Sequence, residues 1–231
     1  MGRPFAITMR RYEVIGGLIW LAFYLLLMSD AVYWALRLLG LGVDTVTLNK
    51  VYFLANFIIT VLIFRRFLAY SLPLAADRPL RFLGGILLGF CIYEGVQTAV
   101  SIVYELAAPD LWTPNDENIR TIAQGSYYVM WVGAVLLGPL TEETLIRGLV
   151  FGNLRRKSRV LAYVVTALVF SLMHVLSYIL QMDAVTLLLN LVLYAFPSVA
   201  LCAAYEYAGT IWAPIALHMI LNALSMYALG A

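Results

Sequence analysis

The chain is 231 residues long, 63% hydrophobic and 12% charged, with a formal net charge of +2. Soluble domains carry about 25% charged residues, so this composition excludes a soluble globular enzyme. It equally excludes a soluble domain beside a single anchor, and one membrane domain is the economical reading.

A spanning helix needs about 20 mostly apolar residues. Seven stretches qualify: 14–36, 49–68, 82–107, 121–153, 159–181, 184–206 and 211–230. The predicted fold is therefore all-α, a polytopic membrane helical bundle of about seven transmembrane helices, eight being possible. The first stretch follows Arg3, Arg10 and Arg11 and resembles a signal sequence. It lacks a small-x-small cleavage site, so it reads as an uncleaved first span. Within span three, Gly85 and Gly89 are spaced for close helix packing. Span four is longer than a straight crossing requires and carries Gly138-Pro139, which predicts a kinked or broken helix. Cys91 and Cys202 lie in apolar runs and read as small buried hydrophobes, with no spacing for a disulfide or thiolate metal site.

Positive residues set the orientation of a polytopic protein. Arg3, Arg10 and Arg11 precede span one. Arg65, Arg66, Arg78 and Arg81 lie between spans two and three, and Arg155, Arg156, Lys157 and Arg159 between spans four and five. All eleven fall on one side of a seven-span protein. The other side receives Arg37, Lys50 and Arg120, with the acids Asp110, Asp116 and Glu117. The bias predicts a cytoplasmic N-terminus in a multi-pass protein of a prokaryotic plasma membrane.

Ionisable groups cost roughly 3 kcal/mol or more at the centre of a membrane and are retained there mainly for function. The only two histidines, His174 and His218, both lie inside candidate spans, and a third span carries Glu142-Glu143 and Arg147. Glu143 and Arg147 are four apart and share a helix face, whereas Glu142 points about 100° away. The natural division pairs Glu143 with Arg147 and leaves Glu142 for a cavity, as a general base for water. His218 and Asn222 also share a face, and both can donate hydrogen bonds to a developing oxyanion. Glu142, His174 and His218 would serve equally as ligands of a divalent metal such as zinc with an open position. Spacing does not separate the metal-free site from the metal site, and no cofactor is certain.

The ordered motifs Glu142-Glu143-x-x-x-Arg147, Phe170-x-x-x-His174 and His218-x-x-x-Asn222 resemble those of the CPBP intramembrane proteases, also known as Abi or type II CAAX prenyl proteases. The approach to the last motif, from Tyr207 to His218, is similar too. The resemblance covers about residues 120–230 and implies a division into N-terminal helices of unassigned role, 1–110, and a protease-like core, 111–231, within one continuous membrane domain. It implies an intramembrane endopeptidase acting on a membrane-associated, prenylated or leader-type peptide. Glu142 and His174 would activate water, His218 and Asn222 would stabilise the oxyanion, and Glu143 and Arg147 would support them.

Cleavage is expected in the cytoplasmic half of the bilayer, and the lipid bilayer and a peptide or protein substrate are the expected partners, with no nucleic acid. The alternative is a non-catalytic scaffold, of the bacteriocin-immunity type, that uses the same polar network structurally. Bis-histidine haem ligation would leave Glu142, Glu143, Arg147 and Asn222 without a role. Asp30, Glu94 and Glu206 are further acids in or near spans and are left outside the site.

Overall fold

The computed structural model describes Phe5 and residues 8–230, so Arg3 lies outside the described residues. Ten helices follow in chain order. They are α1 (Arg11–Leu26), α2 (Met28–Leu38), α3 (Thr45–Ser71), the short α4 (Pro73–Asp77), α5 (Pro79–Ala107), α6 (Pro114–Gly125), α7 (Tyr127–Arg155), α8 (Arg159–Val175), α9 (Ala184–Ala208) and α10 (Trp212–Gly230). The protein is all-helical among the described residues. Six helices are long and apolar enough to cross a membrane, and α1 with α2 makes a seventh if the pair counts as one span.

Three sequence expectations change. The first span is not one straight helix: α1 and α2 meet at a 74° bend. No Pro or Gly marks that bend; it falls at Leu27-Met28. The connection at 114–125 is itself a helix. Pro114 occupies its first turn, where the missing N–H does no harm, and Asp116 and Glu117 complement its positive end. Finally, α7 is continuous. It shifts into π-helical hydrogen bonding over Val132–Leu137 and again over Thr144–Phe151, with Gly138–Glu143 α-helical between. The wider turns accommodate Pro139 without breaking the span.

One end of the bundle gathers the basic segments. Arg66 reaches both the Thr8 carbonyl and the Glu13 carboxylate. Glu13 is fully buried and also accepts from the Phe67 backbone N–H at 2.9 Å. Thr210 donates to the Ser71 carbonyl, and Trp212 to that of Leu68. Glu206, half-buried, accepts from Arg155, Arg159 and Tyr163, and so belongs to this end rather than to the site. The opposite end holds the α2–α3 turn, α6, the end of α8 and the start of α9. There Asp183 caps α9 by accepting from the backbone of Val185 and Thr186. Hydrogen bonds from Thr186 hold its carboxyl below the usual range.

α5 packs chiefly on α9, and its glycines explain how closely. A Cβ at Gly85 would lie 2.8 Å from the Ala208 Cβ and 2.9 Å from the Ala204 carbonyl oxygen. One at Gly89 would lie 3.0 Å from the Ala200 carbonyl. The obstacles at Gly85 are backbone or short side chain and cannot swing away, whereas at Gly89 the Leu217 side chain is met first. Gly85→Leu should therefore force the helices apart and lower stability by about 1–3 kcal/mol, the range for overpacking, read as a fall in Tm of the detergent-solubilised protein.

Candidate active site

Helices α3, α5 and α7 to α10 converge, with α1, α2 and α6, on a cavity of about 890 Å³, and Glu142, His174, His218 and Asn222 all line it. Their helices bring them there for separate local reasons. On α7, Glu142 and Glu143 occupy the α-helical stretch between the two π turns, and consecutive residues diverge by about 100°. Glu143 turns into the protein and is fully buried, while the Glu142 side chain keeps 18% exposure on the cavity.

Glu143 is the hub. Its Oε1 accepts from Arg147 Nη1 at 2.9 Å and pairs with His218 Nδ1 at 2.8 Å. Arg147 is fully buried too; its guanidinium lies 4.3 Å from the Phe170 ring centroid, and Nη2 donates to the Ser198 carbonyl. One carboxylate thus ties α7 to α10, and its guanidinium partner ties α7 to α8 and α9. A carboxylate beside Nδ1 makes that nitrogen the donor. Nε2, facing Glu142 Oε2 at 3.9 Å, is then an acceptor in the neutral ring and a donor only when the ring carries both protons.

His174 closes the last turn of α8. Its Nδ1 lies 2.9 Å from the Phe170 carbonyl, an acceptor, which fixes the proton on Nδ1 and leaves Nε2 as the free ring nitrogen. Its ring stacks on Tyr194 of α9, centroids 4.5 Å apart, and the Tyr194 hydroxyl donates to Asp116 of α6 at 2.9 Å. Asn222 donates one amide hydrogen to the Ala134 carbonyl at 2.8 Å, inside the first π turn. The other amide hydrogen remains for the cavity.

The residues nominated as metal ligands do not gather as a metal site. Among the described residues no three of His, Cys, Asp and Glu lie close enough together to hold one ion. The arrangement of Glu142, His174 and His218 therefore does not fit a three-ligand zinc centre, and no step is routed through one.

Sequence reasoning missed part of the wall. Tyr24, Tyr52 and Asn56 line the cavity from α1 and α3, beyond the motifs. Asn56 is buried, and neither its amide nitrogen nor its amide oxygen has a partner among the described residues. A carboxamide in the middle of an apolar span was the signal available. Glu94, by contrast, is exposed on α5 and does not line the cavity.

Two tests follow from this geometry. Arg147→Met leaves Glu143 a buried carboxylate without its cation and should lower stability by about 3–5 kcal/mol, as broken buried pairs do. Adding Glu143→Gln should recover part of that loss in the same thermal unfolding measurement. Tyr194→Phe keeps the ring on His174 but deletes the bond to Asp116; about 1 kcal/mol of α6 docking should go with it, seen as faster hydrogen exchange across Pro114–Gly125.

Residues 124–224 match the family model described as Type II CAAX prenyl endopeptidase Rce1-like. No curated protein matches, and no solved structure matches. The matched stretch, a little under half of the chain, begins just before α7 and ends two residues past Asn222. It contains every motif residue from Glu142 onward, and of these Glu142, Phe170, His174, His218 and Asn222 line one cavity. Over residues 124–224 this multi-pass membrane protein is thus similar to the Type II CAAX prenyl endopeptidase Rce1-like family.

Proposed function

We propose that the chain is an intramembrane endopeptidase that hydrolyses a peptide bond with water activated by Glu142 and His174. The observation that carries this reading is the convergence of Glu142, His174, His218 and Asn222, from three helices, on one cavity sunk between spans. A carboxylate that keeps some exposure, beside one that is wholly buried and paired, is the division a hydrolase needs: one acid works and the other builds.

In this scheme Glu142 takes a proton from water as the water oxygen bonds to the carbonyl carbon of the substrate. His174, oriented by Phe170 and Tyr194, holds the same water through Nε2. The carbonyl oxygen becomes an oxyanion and accepts hydrogen bonds from Asn222 Nδ2 and from Nε2–H of a doubly protonated His218, whose Nδ1–H remains on Glu143. Collapse of the tetrahedral adduct breaks the C–N bond, and the proton held by Glu142 passes to the departing amine. Preorganised donors of this kind are worth about 10²–10³ in rate each.

The scaffold reading has one observation in its favour. The Glu143–Arg147–His218 network joins four helices whatever Glu142 does. Glu142→Gln discriminates between the two, because Glu142 meets that network only across 3.9 Å to His218 Nε2 and makes none of its hydrogen bonds. Cleavage of a membrane-embedded reporter peptide should fall by about 10²–10⁴, the contribution of a positioned general base, with Tm unchanged. Full cleavage by Glu142→Gln would sink the peptidase and leave the scaffold. The same assay in a strong chelator separates water activated by Glu142 from water activated by a metal.

A further inference from the structure

The cavity has a side. Its exposed lining residues include Ser29, Thr45, Asn118, Arg120, Ser177 and Ser225. They belong to the α1–α2–α3 turn region, α6, the end of α8 and the end of α10, all at one end of the bundle. The buried lining lies deeper: Phe170, Leu201, His218 and Leu221. Glu142 sits 15 residues into α7 from Tyr127, about 22 Å along the helix. No residue of the connections 72–81, 152–159 or 207–212 lines the cavity.

Those connections make up the basic end. Arg10, Arg11, Arg65, Arg66, Arg78, Arg81, Arg155, Arg156, Lys157 and Arg159 gather there, held by contacts such as Arg66 to Glu13 and Arg155 to Glu206. The mouth end carries Arg37, Lys50 and Arg120. An arginine and lysine excess this lopsided on short connections is the charge pattern of a cytoplasmic end.

We infer that the cavity takes its peptide from the non-cytoplasmic side of the membrane. The substrate class is then an exported or membrane-anchored polypeptide with a segment on that side, rather than a prenylated tail presented from the cytoplasm. The inference rests on the peptidase reading for the word substrate; the side of the mouth stands apart from it. The rim offers hydroxyls, an amide and the cation of Arg120, with Ala228 and Leu229 as apolar members, and Asp116 in the same lining is engaged by Tyr194.

The test is labelling of single cysteines by a membrane-impermeant charged methanethiosulfonate in intact spheroplasts. The full chain carries Cys91→Ala and retains the buried Cys202. Asn118→Cys reports the mouth, Met173→Cys the half-buried wall below it, and Lys157→Cys the basic end. The expected result is labelling of the first two in intact spheroplasts and of Lys157→Cys only after permeabilisation. Labelling of Lys157→Cys from outside overturns the inference, as does a mouth labelled without Met173→Cys. None of these readouts needs catalysis, so full cleavage by Glu142→Gln would defeat the peptidase reading and leave the side of the cavity decided.

Discussion

A single carboxylate oxygen, Oε1 of Glu143, organises the centre of this protein. It faces a guanidinium on its own helix at 2.9 Å and an imidazole on the last helix at 2.8 Å. An isolated charge would be intolerable there, since both Glu143 and Arg147 are fully buried. Each group is tolerated because of the others, and the helices carrying them must therefore stay in register. The orientation of His218 follows from this arrangement, and with it the direction in which Nε2 points. Function in the cavity is built on a network that reaches the cavity only through His218 and the Phe170 ring.

The π turns of α7 serve the same end. Glu142 must face the cavity while Glu143 faces the core, and Asn222 must find a fixed partner. The α-helical stretch Gly138–Glu143 supplies the divergence, and the π turn before it holds Ala134, whose carbonyl anchors Asn222. Such insertions frequently mark functional sites. Pro139, which the sequence presents as a break, sits where the hydrogen-bond register has already changed.

What could be read from the sequence was whatever depends on local period. The apolar runs give the spans of α3, α5 and α7 to α10 within a few residues, and the i, i+4 spacing gives the Glu143–Arg147 pair and the shared face of His218 and Asn222. The bond from His218 to Glu143 joins residues 75 apart, and the stack of His174 on Tyr194 depends on how α8 meets α9. No periodicity encodes such pairings, because packing selects them among many equivalent faces. The α1–α2 bend has no Pro or Gly to mark it. In α6 the start signals were present at Pro114, Asp116 and Glu117, but a polar segment between spans reads as a connection.

Glu13 has a consequence for how the chain enters the membrane. α1 is only 16 residues long, ends at a 74° bend, and begins beside a carboxylate that accepts from the Arg10 amide, from Arg66 and from the amide of Phe67. The last two lie more than 50 residues downstream. During synthesis α1 precedes the group that neutralises its acid, and it is short for an independent crossing. Its seat in the bilayer is completed by α3, so α1 is secured only after Arg66 and Phe67 have followed it.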